Sequence, residues 1–104
     1  PPGEGEKFIP TGLITKSIDI GAGAGNPGDY AARPENDEVK HLLEYAIPEG
    51  ARILDIVYIC SDNCGDLGKF AMSFSTTDRD TVEMSVTARE IGLVRLNVEV
   101  KYGS

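Results

Sequence analysis

FAMSFSTTDRDTVEMSVTAREIGLVRLNVEVKY, Phe70 to Tyr102, decides the fold. Phe70, Met72 and Phe74 alternate with Ala71, Ser73 and Ser75, and TTDRD then supplies a turn. Val82, Met84, Val86 and Ala88 alternate with Thr81, Glu83, Ser85 and Thr87. After a second turn at Glu90 to Gly92, Val94, Leu96, Val98, Val100 and Tyr102 alternate with Arg95, Asn97, Glu99 and Lys101. A period of two sorts side chains onto opposite faces of a strand, and a slip of one residue would turn each apolar face to water. The stretch therefore reads as a three-strand antiparallel meander, one face buried and one wet.

A meander alone leaves its apolar face bare, so earlier segments must cover it. Ile53 to Cys60, ILDIVYIC, is apolar on both faces except for Asp55, which suits a central strand covered on both sides. Leu13 to Ile20 reads as a first strand, with Ile14, Ile18 and Ile20 on one face and Lys16 interrupting that face. Val39 to Ile47 fits a strand or a short helix. Strand is favoured because the clearer segments are β, and Pro48-Glu49-Gly50 stops either. The expectation is an all-β domain of six to eight strands, an antiparallel β-sandwich or jelly-roll-like barrel spanning 13–104. Residues 1–12, PPGEGEKFIPTG, read as a flexible arm or linker. Within it, Phe8 and Ile9 form an apolar pair suited to anchoring on a neighbour. The start at Pro1 without Met reads as a trimmed or excised piece.

The alternation from Phe70 through Tyr102 after ILDIVYIC is similar in layout to the small six-stranded snail-type lectin domains. The tryptophan those domains carry near the last strand is absent, so the likeness implies strand order only.

Composition narrows function. Seventeen acids against ten bases give a net charge of −7 over 104 residues. That balance argues against a phosphate backbone and against anionic lipid. No apolar run approaches the ~20 residues of a membrane helix. The acids include no pair marked for glycosidase work, and no G-x-S-x-G elbow accompanies His41. No catalytic centre is expected. GAGAGNPG at 21–28 lacks the lysine and the following helix of a phosphate loop.

Cys60 and Cys64, in C-S-D-N-C, lack the partners of a structural zinc site and the spacing of a thioredoxin-type pair. A local disulfide is the favoured state, with two free thiols as the alternative. Closing so short a loop contributes only about 1–2 kcal/mol, so such a bond would set loop shape. It would also place the protein outside the reducing cytosol, in an extracellular, cell-surface or virion-surface setting. No cofactor is expected; calcium is the alternative, with Asp62 and Asp66 as metal ligands beside ordinary solvated loop roles.

Two functions lead, ahead of an enzyme or an accessory domain cut from one. One is a non-catalytic recognition module that binds a glycan or a protein through its loops, with Asp29, Tyr30 and Arg33 on the long 21–38 segment and Asn63 on the Cys60–Cys64 loop as contacts. The other is a structural subunit of a fibre, pilus, spike or capsid surface, a homo-oligomer built through the N-terminal arm.

Overall fold

The computed structural model describes residues 8–23, the backbone of 30–32, and 38–104. The described chain is mostly strand. β1 runs Pro10–Ala22, β2 Tyr30–Ala32, β3 Glu38–Glu44, β4 Arg52–Asp62, β5 Phe70–Asp78, β6 Thr81–Ala88 and β7 Gly92–Gly103, with one 3-10 helix at Cys64–Lys69. Val39 to Ile47 thus resolves as strand, ending at Glu44 where the backbone turns toward Pro48. The first strand starts earlier than Leu13: Pro10 and Gly12 already pair with Gly103 and Tyr102.

The strands form two sheets, ordered β2-β1-β7-β4 and β3-β6-β5. The pairs are antiparallel except β1–β2, which is parallel. The sheets face each other across one apolar core in a two-layer, sandwich-like arrangement. Ile18, Ile20, Val94, Leu96, Val98 and Val100 project from one sheet; Leu43, Phe70, Val82, Met84 and Val86 project from the other. β6 alternates strictly between buried Val82, Met84, Val86, Ala88 and half-buried Thr81, Glu83, Ser85, Thr87, the burial pattern its period of two demands.

Two expectations are corrected. The last three strands are not a meander. β5 and β6 pair as a hairpin, but β7 pairs with β1 and β4 in the facing sheet. Residues 89–91 therefore carry the chain across the core. Alternation reports which face of a strand is buried, not which strand lies beside it, and β6 and β7 bury their apolar faces against each other. Nor is the Ile53–Cys60 strand central. β4 is the edge of its sheet, and its outward side chains Val57 and Ile59 are exposed. The facing sheet is covered chiefly by β1 and β7.

The base of the molecule is tied by polar bonds. Pro48-Glu49-Gly50-Ala51 closes with Ala51 N–H donating to the Pro48 carbonyl at 3.1 Å, and Gly50 holds φ +85. A positive φ at the third position is the type II geometry that glycine takes without steric cost. Arg79 Nη1 donates to the carbonyls of Ile47, Pro48 and Ala51 at 3.4, 3.3 and 3.5 Å, lashing the β5–β6 turn to this segment. Tyr45 is buried, and its hydroxyl donates to the Val98 carbonyl at 3.0 Å. Lys16 explains its place on an apolar face: its Nζ lies 5.7 Å from the centre of the Tyr45 ring and donates to the Glu44 carbonyl at 3.0 Å. The ammonium is thus satisfied by the ring face and a carbonyl at an exposed position.

Candidate binding surface

Where β4 ends, the chain must turn toward the start of β7, and local chemistry shapes the turn. The register shifts between Cys60 and Asp62, and Asn63 sits in the left-handed region at φ 55, ψ 44. Asn is among the few residues with a side chain that visit this region readily, because its short amide bonds locally. Cys60 and Cys64 are joined by a disulfide. The 3-10 helix that follows, Cys64–Lys69, has no buried residue. It is nevertheless held from several directions. The Asn63 side-chain amide donates to the Leu93 carbonyl and, at 3.1 Å, to Asp66 Oδ2. Asp66 Oδ2 also accepts the Leu93 backbone N–H at 3.0 Å, and Oδ1 takes the Lys69 ammonium at 3.0 Å. The Leu93 N–H, then Lys69 and Asn63, hold the Asp66 carboxyl below the usual carboxylate range. Gly92 makes the approach feasible: a Cβ there would meet Lys69 Cδ at 2.9 Å and Asp66 Oδ2 at 3.0 Å.

Beside this loop stands the 89–91 crossover. Ile91 is 66% exposed at its tip. Its side chain also leans on Gly23, where a Cβ would meet Ile91 Cγ2 at 3.0 Å. Leu93 is also exposed. Next along β7, Arg95 grips Asp19 of β1 with two bonds, Nε to Oδ1 at 2.6 Å and Nη2 to Oδ2 at 3.2 Å. That contact lowers the Asp19 carboxyl below its ordinary value. Asp62 is the register partner of Arg95 on the other side.

The sequence-derived residues distribute unevenly over this surface. Asn63, Cys60 and Cys64 lie at its centre. Asp62 and Asp66 share the loop, but Asp66 is balanced by Lys69, and among the described residues no group of three His, Cys, Asp or Glu side chains is placed to hold an ion. Asp29 and Arg33 lie outside the described residues; Tyr30 opens β2 opposite Ile20, and its side chain is likewise not described. Phe8 and Ile9 sit at the opposite end. The Arg52 guanidinium stands 4.7 Å over the Phe8 ring, and Ile9 exchanges backbone bonds with Ser104 at 2.9 and 3.2 Å. Pattern reading does not find Ile91, Leu93 or the Asp19–Arg95 pair. The one available signal is Ile91, a branched apolar residue inside a turn.

A cleft of about 560 Å³ opens at that opposite end, lined by Phe8, Arg52, Leu54, Thr77 and Arg79 among others. Its two guanidinium groups already serve Phe8 and the turn carbonyls. The Asn63–Leu93 end displays fixed polar groups beside the exposed side chains of Ile91 and Leu93. Among the described residues no helix is long and apolar enough to cross a membrane. No family model matches the chain, and neither the curated proteins nor the solved structures contain a match.

Proposed function

We propose that this domain is a non-catalytic, extracellular recognition module that docks on a protein surface through its Asn63–Lys69 loop, Ile91 and Leu93. One observation carries the reading. A loop with no buried residue is held in one shape by a disulfide, an asparagine in the left-handed region and an aspartate bonded to a strand 27 positions away. Of this loop only Leu67, half-buried, packs against the core, and that single contact does not require such rigidity. Binding does, because a contact surface ordered in advance avoids the entropy cost of ordering it on association. The disulfide supports an oxidising compartment. Branched apolar side chains beside a bidentate ion pair suit a protein partner better than a sugar ring, which favours an aromatic platform. The scaffold reads as jelly-roll-like, since consecutive strands lie in different sheets at β2–β3, β3–β4, β4–β5 and β6–β7.

The test is a panel of purified receptor ectodomains and a glycan array, each probed with the wild-type domain and with Ile91→Asp. The expected result is ectodomain binding that is lost in Ile91→Asp at an unchanged melting temperature. Binding confined to the glycan array, or ectodomain binding that survives the substitution, overturns the proposal.

A further inference from the structure

β4 is a long edge strand with an open side, and its residues say what that side accepts. Between the register shifts at Ile53/Asp55 and Cys60/Asp62, the strand runs regularly from Asp55 to Cys60. On the outer face of that run, Val57 is 46% and Ile59 62% exposed. Their neighbours across β7 are Glu99 and Asn97, so nothing apolar covers them. The Ile56 N–H donates to the Asp55 side chain at 2.9 Å, a partner on its own strand, and is assigned on that ground to the open edge. In an antiparallel ladder the groups alternate sides, so Tyr58, two residues on, also turns its N–H and C=O to the open edge. The chain leaving β4 does not block this edge. Asn63 bonds back to Leu93, which takes the turn over β7. Exposed edges of this kind are templates for another strand, and the bulges and Asp55 limit the open length to its centre.

We infer that this edge pairs with β4 of a second copy of the chain, antiparallel about a two-fold axis at Tyr58, joining the two sheets into one. The sequence around Tyr58 is self-complementary in that register. Tyr58 faces Tyr58 of the partner subunit, Val57 faces Ile59 of the partner subunit, and Ile59 faces the partner's Val57. The outer face then gains a closed patch of four branched apolar side chains. Asp55 falls opposite the partner's Ser61, and Asp62 opposite the partner's Leu54, so no carboxylate meets a carboxylate across the seam. A shift of two residues, the smallest that the alternation of the ladder allows, would put Val57 opposite itself and Asp55 against the partner's Ile59. An isologous interface requires this self-matching, and like charges directly opposed are unfavourable. Assembly through β4 is independent of the N-terminal arm, whose described residues pair with the chain's own β7 and C-terminus.

The experiment is sedimentation equilibrium from micromolar to millimolar protein on the wild type, on Val57→Lys and on Ile59→Glu, with circular dichroism to confirm that each is folded. The wild type is expected to dimerise with concentration, and each variant to weaken the dimer at least about tenfold, the scale of one opposed charge or lost apolar pair. Mixing the two variants restores a dimer, because the introduced lysine of one chain then meets the introduced glutamate of the other while the second seam pair stays wild type. A wild type that is monomeric throughout, variants that dimerise as well as the wild type, or a mixture that stays monomeric each overturns the inference. So does recovery from mixing Val57→Lys with Val57→Glu, which would place Val57 opposite itself.

Discussion

The carboxylate of Asp66 accepts the backbone N–H of Leu93 at 3.0 Å, joining an exposed 3-10 helix to the start of the central strand β7. Leu93 N–H, Lys69 and Asn63 all favour the charged form and lower the Asp66 carboxyl below its ordinary value of 3.8. The unfolded chain therefore takes up this proton at a higher pH than the folded chain does. The contribution of Asp66 is present above the unfolded value and is lost as pH falls through the folded one. Asp19, lowered by Arg95, acts in the same direction. Melting temperature is expected to fall with acidification below about pH 4, the ordinary carboxylate range. Asp66→Asn should flatten that slope, and Asp19→Asn should flatten it further. Hydrogen exchange at the Leu93 amide should speed up in Asp66→Asn. An unchanged acid slope in the double variant would show that neither carboxylate is linked to folding.

The Cys60–Cys64 disulfide closes a short loop at the edge of the core. Replacing both cysteines by serine should lower stability by only about 1–2 kcal/mol on the loop-entropy model. The denaturant midpoint should fall with its slope unchanged, and the far-ultraviolet spectrum should stay that of the wild type. Loss of the β spectrum would mean that the bond holds the sheets and not the loop.

Part of this architecture was legible in the residues, and part was not. β6 and β7 were readable because Val82 to Ala88 and Val94 to Val100 alternate without a break. Their crossing between sheets was not readable, since two strands that bury facing surfaces show the same pattern as two neighbours. The run from Ile53 to Cys60 misleads for a related reason. Val57 and Ile59 look like a buried face, yet they lie outward on an edge, and apolarity alone does not separate a covered face from one awaiting a partner. At the proposed binding surface, the spacing of Cys60 and Cys64 and the loop residue Asn63 mark the loop in the sequence. The bond from Asp66 to Leu93 spans 27 positions and depends on Gly92 leaving room, which no local pattern announces.

Gly50 offers a clean backbone test. It holds φ +85 in the turn that returns β3 to β4, and a Cβ added there would meet nothing within 4 Å. The cost of Gly50→Ala is therefore conformational and not steric, about 1–2 kcal/mol for a side-chain residue in the left-handed region. Gly50→Asn should recover part of the loss, because asparagine tolerates that region better. Equal midpoints for Ala and Asn in urea unfolding would remove the backbone explanation.

Tyr45 links the β3 segment to the central strand, and its ionisation should report that link. Burial pushes its hydroxyl from 10.0 up to about 12, while the hydroxyl donates to the Val98 carbonyl. The folded state holds this proton more tightly than the unfolded chain. Its contribution is full below about pH 10 and is lost as pH rises toward about 12. Tyr45→Phe removes the hydroxyl and leaves the Val98 carbonyl without that donor, so stability at neutral pH should drop by about 1 kcal/mol. The alkaline fall in stability between those two values should shrink in the same variant. Following tyrosinate absorbance should show a late-titrating component in the wild type that is missing in Tyr45→Phe. A late tyrosinate that persists in Tyr45→Phe would assign the perturbed hydroxyl elsewhere and leave the Tyr45–Val98 bond without a role in alkaline unfolding.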